Sequence, residues 1–168
     1  IKRFREWCYA IRNGQNLLSM RYSFEQLSGI TNGEFVSKSS YFFEYVTTDS
    51  RMVTHPASTL FFARRGPHSD GHLFVKALVG KGVKMVVTER KLDLPSSVGQ
   101  YLVRDSLAAL QDLAYFHRNQ FQYPLIAITG SNAKTTIKEW LANLLQQQFH
   151  VVKTPASYNS QLGVPLSI

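Results

Sequence analysis

The stretch ITGSNAKTTIKEW, residues 128–140, begins apolar, turns through a glycine and continues as a helical run behind a lysine and two threonines. A strand–turn–helix of this kind offers an anion several backbone N–H groups, a helix N-terminus, an ammonium and a hydroxyl. Gly130 permits a tight exit from the strand. Ser131, Asn132 and Ala133 supply amides, Lys134 reaches the outer phosphates of a nucleotide, and Thr135, followed by Thr136, is placed to ligate Mg2+. The long form of the motif needs glycine where Ile128 stands, so the match is to a shorter form. Ser131 or Asn132 is also a good helix cap. Ala133 occupies the place before the lysine where such loops favour glycine. With positive φ there, its methyl costs about 1–2 kcal/mol; with ordinary negative φ, little. The sequence leaves both open, and the expectation is nucleotide affinity reduced rather than abolished.

Outward from this turn the chain alternates strands and helices. Ser23 and Gln26 have capping-box spacing, and Gly29 offers a left-handed stop to a short helix. Residues 34–36, 43–47 and 59–63 are β-branched or aromatic and read as strands. Ser69 or Asp70 caps a helix over 72–81, with Leu73, Phe74, Ala77 and Leu78 on one face and Gly80 and Gly82 ending it. A buried strand follows at 83–88, completing a βαβ unit that favours a parallel sheet. Another strand is predicted at 100–105, then a helix over 106–118 capped by Asp105, with Leu107, Leu110, Leu113 and Ala114 at helical spacing. The polar, proline-bearing NQFQYP at 119–124 marks a boundary. Beyond it a strand at 125–129, the loop, a helix at 134–148 and a strand at 151–153 open a second βαβ unit.

Composition limits the partners. With 168 residues and 44% hydrophobic content, the chain can bury one good core, or one domain and part of another. Nineteen Lys+Arg against 11 Asp+Glu give a charge of +8, which favours anionic partners such as nucleotides and phosphorylated sugars. A single cysteine, Cys8, excludes an internal disulfide framework and suits a reducing cytoplasmic setting. Apolar runs are strand-sized, so no membrane insertion is expected. Residues 1–19 are basic and stand before Met20, a plausible original start; they read as an extension, and the whole reads as a fragment.

ITGSNAKTT resembles the T-G-[ST]-N-G-K-[ST]-[ST] loop of the Mur ligases of bacterial cell-wall synthesis. SYNSQLGVPLSI at 157–168 resembles their N-x-x-x-G-V-P-L segment. TTDSR at 47–51, TLFFARRG at 59–66 and SDGHLFVKALVGKGVKMVV at 69–87 are similar to their N-terminal domain in order and spacing. The resemblance implies an α/β fold: a uridine-nucleotide-binding domain over 20–119, then the first strand–P-loop–helix unit of a truncated ATP-binding domain over 120–168. It implies a ligase in which ATP phosphorylates the terminal carboxylate of a UDP-N-acetylmuramoyl tripeptide and an amine attacks the acyl phosphate. Details such as IKEWL are most similar to the branch that adds D-alanyl-D-alanine, in the form fused in some bacteria to an alanine racemase. Lys134 and Thr135 would then be catalytic, with Gly130 to Thr136 holding ATP and Thr135 the Mg2+. Ser50, Arg51, His68, Ser69 and Asn159 would contact the UDP-linked substrate. Most of the ATP-binding domain and the domain presenting the amine would lie outside the chain, which alone is expected to show no turnover.

Other readings stay open. One is a non-catalytic UDP-sugar-binding module in which Ala133 marks a retired ATP site; another is a different Mur ligase, such as the one adding the third amino acid. A basic nucleic-acid-binding domain fits the charge, but no nucleic-acid motif appears and no nucleic acid partner is expected. His68 and His72 have the spacing of two metal ligands on one helical turn, yet Pro67 and Gly71 argue against helix there and no third ligand is evident. Asp70-Gly71-His72 reads as a cap that orients the loop. His55, His117 and His150 read as surface or satisfied histidines.

Overall fold

The computed structural model describes residues 21–66, 69–155, 158 and 160–167. The predicted extension at 1–19, Met20, His68 and Asn159 lie outside the described residues.

The chain enters through β1 (Tyr22–Ser23), a 3-10 turn at Phe24–Gln26 and a single helical turn, α1 (Leu27–Ile30). The Ser23 N–H donates to Gln26 Oε1 at 2.7 Å, one arm of the expected capping box. Gly29 is not the stop: it lies inside α1, and the chain turns extended only at Thr31 (φ −138°). Tyr101 explains the exit, because its buried hydroxyl donates to the Thr31 carbonyl at 2.9 Å and satisfies it outside the helix.

The main sheet contains β2 (Gly33–Ser37), β4 (Tyr45–Thr47), β5 (Thr59–Phe62), β6 (Met85–Thr88) and β7 (Gly99–Val103), in the order β2-β7-β6-β5-β4. β4, β5, β6 and β7 run parallel, and β2 joins the β7 edge antiparallel. The strand expected over 43–47 is divided. β3 (Phe42–Phe43) pairs with β1 in a separate ladder, while β4 joins the main sheet. Glu44 makes the break, its N–H donating to the Ser58 carbonyl at 2.9 Å, while Phe43 is fully buried beside Tyr22.

Both faces of the central strands are covered, which is why TLFF and MVVT read as continuous apolar runs. Leu60, Phe62, Met85, Val87, Tyr101 and Val103 form one core with Phe24 and Leu27 and with Ala109, Leu110 and Leu113 of α3 (Ser106–Arg118). Phe61, Val86, Val83 and Val98 form the other with Val75 and Leu78 of α2 (Val75–Gly80). The Asp105 carboxylate caps α3 as predicted, accepting from the N–H groups of Leu107 (2.8 Å) and Ala108 (3.1 Å). The buried face of the preceding helical segment differs from expectation. Its first turn, Gly71–Phe74, is 3-10, so His72, Val75 and Leu78 point inward while Leu73 is 72% exposed. Three residues per turn in that first stretch shift the apolar phase.

Beyond α3 the chain departs further from expectation. Residues 125–129 and 151–153 pair in no ladder, and Leu125 and Ile126 stand 64% and 57% exposed. A strand needs a neighbour for its N–H and C=O groups, and among the described residues neither segment has a ladder partner. Side chains of α4 (Lys134–Leu145) hold 151–155 instead: Lys138 donates to the Thr154 carbonyl at 2.8 Å and Glu139 pairs with Lys153. Leu162 and Leu166 pack against the first core.

Candidate functional site

The turn at 130–133 answers the question raised by its alanine. Ala133 adopts φ 59° and ψ 4°, the left-handed conformation, and is the only described non-glycine residue with positive φ. Gly130, at φ 150°, takes the exit from the apolar run in a conformation side chains rarely adopt. Ala133 also occupies the N-cap of α4, and no side chain caps that helix. The alternative in which Ser131 or Asn132 caps the helix is not what forms: Ala133, not either of them, stands at the cap position. The N–H groups of the first turn have no acceptor inside a helix, so those from Lys134 onward are left for an outside one. Ile137 N–H closes on the Ala133 carbonyl at 2.9 Å, which sets the helix axis behind the turn.

Lys134 is half-buried, whereas Ser131, Asn132, Ala133, Thr135 and Thr136 are exposed. Its ammonium donates to the carbonyl of Gly130 and lies 3.4 Å from that of Ser131. The charge is thus held at the mouth of the turn, over carbonyl dipoles that an anion of higher charge would outcompete.

A second group lies at the carboxyl edge of the parallel strands, where open α/β sheets receive ligands. After β4, the Asp49 carboxylate caps a 3-10 turn at Ser50–Met52 by accepting from the Arg51 N–H at 2.9 Å. It also holds the Arg51 guanidinium through two forked contacts, 2.9 Å to Nε and 2.7 Å to Nη2. That side-chain bond keeps the Asp49 carboxyl below its usual range. The Arg51 side chain remains 87% exposed, so its outward face is accessible.

After β5, the backbones of Arg65 and Asp70 form an isolated antiparallel β-bridge, and Gly66 N–H donates to the Ser69 carbonyl at 2.7 Å. Ser69 is exposed at this fold-back. Because β4 and β5 are neighbours, Ser50, Arg51 and Ser69 share one edge of the sheet. Asp70 accepts from the His72 N–H at 3.0 Å, the main reason its carboxyl is depressed, from His72 Nδ1 at 2.6 Å and from Arg90 Nη2 at 2.9 Å. Sequence reasoning passed over Arg90 and Glu89. The signal was available in TERK at 88–91, where charge begins as the buried strand ends. Both ring nitrogens of His72 are engaged within the protein, Nδ1 by Asp70 and Nε2 by the Glu89 N–H.

Residues 128–168, which begin at this turn, match the Mur ligase middle domain. The chain is 41% identical over 124 residues to the UDP-N-acetylmuramoyl-tripeptide--D-alanyl-D-alanine ligase of Synechocystis, covering 73% of this chain and 27% of that protein. The crystal structure of MurF from Acinetobacter baumannii superposes with a TM-score of 0.81 at 30% identity, covering 89% of this chain and 33% of that one. MurF ligase from Thermotoga maritima, solved in complex with ADP, gives 0.65 at 33% identity over 73% of this chain and 28% of that one. The chain therefore spans roughly a third or less of the proteins it resembles. Fold, order of elements and phosphate-type turn agree with these matches: the chain belongs to the Mur ligase family.

Proposed function

We propose that this chain is the nucleotide-sugar end of an ATP-dependent ligase that joins D-alanyl-D-alanine to a UDP-N-acetylmuramoyl tripeptide in the cytoplasm. The observation that carries the reading is the uncapped N-terminus of α4 with Lys134 folded over its mouth. A carboxylate is activated by phosphoryl transfer, which asks the protein for positioning and for neutralisation of phosphate charge. The first-turn amides and the Lys134 ammonium supply that field. The exposed Thr135 hydroxyl is one residue further along, and no described hydrogen bond engages it, so it fits a ligand of Mg2+. Mg2+ bound there would neutralise phosphate charge alongside the lysine.

Residues 20–119 are the part we assign to the uridine nucleotide, and 120–168 to the opening of the ATP-binding unit. Ser50 offers a hydroxyl, Arg51 a guanidinium already oriented by Asp49, and Ser69 a second hydroxyl on the same edge. His68 and Asn159 belong to the same proposal on sequence grounds. Relatives carrying the D-alanyl-D-alanine name support this substrate over that of the ligase adding the third amino acid.

Phosphate release with ATP, UDP-N-acetylmuramoyl-tripeptide and D-alanyl-D-alanine tests the proposal. The 168-residue chain alone is expected to show no steady turnover, because it covers so little of its relatives. Exchanged for the matching region of the Synechocystis ligase, it is expected to support formation of the pentapeptide product. A folded exchange protein that binds both nucleotides yet forms no product would count against the assignment.

A further inference from the structure

His72 joins two pieces of backbone at the carboxyl edge of the sheet, its own turn after β5 and the residue that follows β6. Its side chain is 2% exposed. Nδ1 meets Asp70 Oδ1 at 2.6 Å, and Nε2 meets the Glu89 backbone nitrogen at 2.9 Å. A backbone N–H only donates, so Nε2 is the acceptor and Nδ1 bears the proton given to Asp70. The remaining Asp70 oxygen accepts from Arg90 Nη2 at 2.9 Å. Glu89 extends the chain of contacts to α3, its Oε1 accepting from the Ser106 N–H (3.1 Å) and hydroxyl (2.6 Å).

These bonds close around a constrained loop. Gly71 N–H donates to the Arg64 carbonyl at 2.8 Å, and a Cβ on Gly71 would lie 2.9 Å from the Arg64 nitrogen. Ser69 stands between the Gly66 contact and Asp70, so its position follows that of the Asp70 carboxylate. An apolar side chain would fill the space of the buried imidazole without its desolvation cost. What an apolar residue cannot do is tie the loop to the end of β6.

We infer that His72 is a positioning residue: by joining Asp70 to the backbone of Glu89, it fixes Asp70 in its pairing with Arg65 and thereby sets where Ser69 and Arg90 meet a nucleotide-linked substrate. The inference rests on the proposed uridine-nucleotide role of this edge. A core histidine that only fills space would affect folding alone.

The experiment titrates UDP-N-acetylmuramoyl-tripeptide calorimetrically into the chain and its variants, with a thermal melt of each. His72→Phe keeps a planar ring in place and loses both bonds; it is expected to bind about tenfold more weakly. His72→Asn restores a donor toward Asp70 and is expected to recover most of that loss even where its melting temperature stays low. Asp70→Asn, on the solvent side, is expected to weaken binding while the chain remains folded, and decides the matter if His72→Phe does not fold. Variants that melt earlier but bind within about twofold of the unsubstituted chain would overturn the inference and leave the substrate reading intact. Failure of the unsubstituted chain to bind would overturn the substrate reading, and this inference with it.

Discussion

The Lys134 ammonium closes onto the Gly130 carbonyl across a turn that the left-handed backbone of Ala133 makes possible. One residue therefore sets the direction of the helix, and the next holds its charge where that helix begins. The methyl of Ala133 is the unfavourable element, since an L-residue in this region is disfavoured by about 1–2 kcal/mol against glycine's near indifference.

Replacing Ala133 by glycine should relieve that strain. Binding of ATP should tighten by roughly threefold to tenfold, because the turn no longer resists the conformation that presents its amides. Calorimetric titration of both forms measures this. Equal affinities would mean the strain is already met in the free chain and that the methyl does not obstruct phosphate.

Acid should loosen the junction between the N-terminal ribbon and α3. His117 is buried, and its Nδ1 lies 2.8 Å from the Tyr22 hydroxyl, while burial lowers its pKa. A base whose folded pKa is depressed favours folding fully above its unfolded value, near 6.5, and loses that contribution as pH falls through and below it. Denaturation midpoints should therefore drop between about pH 7 and pH 5.5, ahead of the window of the depressed carboxylates Asp49, Asp70 and Glu139. Those carboxylates contribute above their unfolded values and lose that contribution only at lower pH. His117→Phe should flatten the upper slope; an unchanged slope would assign it elsewhere.

Gly99 should not tolerate a side chain. An added Cβ would stand 2.6 Å from both Phe24 Cε1 and Ser39 Cβ, inside a core where Phe24 is fully buried. Gly99→Ala should destabilise by about 1–3 kcal/mol through overpacking. Urea unfolding would register the shift, and an unchanged midpoint would refute the close packing of β7 on the Phe24 ring.

Arg118 should protect the connection at 119–124. Its guanidinium donates to the carbonyls of Phe121 (2.7 Å) and Tyr123 (2.8 Å) and lies 4.8 Å from the Tyr123 ring centroid. Arg118→Ala removes all three contacts, so limited proteolysis should cut this segment several-fold faster. Unaltered cleavage would show that other contacts hold it.

Legibility followed how local the cause was. Asp105 and the residues after it declared the cap and span of α3, because both lie within one stretch, although Ala109 rather than Leu107 completes its buried face. β5 and β6 were readable as buried parallel strands from unbroken apolar runs. The division of 43–47 was not, since it depends on Glu44 meeting Ser58 and Phe43 meeting Tyr22, both remote in sequence. Nor was the absence of ladders at 125–129 and 151–153, which turns on neighbours rather than on composition. At the site, the glycine and lysine of the turn were recognisable from order alone. The φ of Ala133 had to be observed, as did the convergence of Asp70, His72, Glu89 and Arg90 from two connections.

The most direct test of the phosphate-turn assignment is a calorimetric titration of ADP into the chain and into Lys134→Met. Binding to the unsubstituted chain should be saturable and should weaken by about tenfold or more in the variant, whose methionine keeps roughly the side-chain length without the charge. Equal binding by the two, or none by the unsubstituted chain, would contradict it.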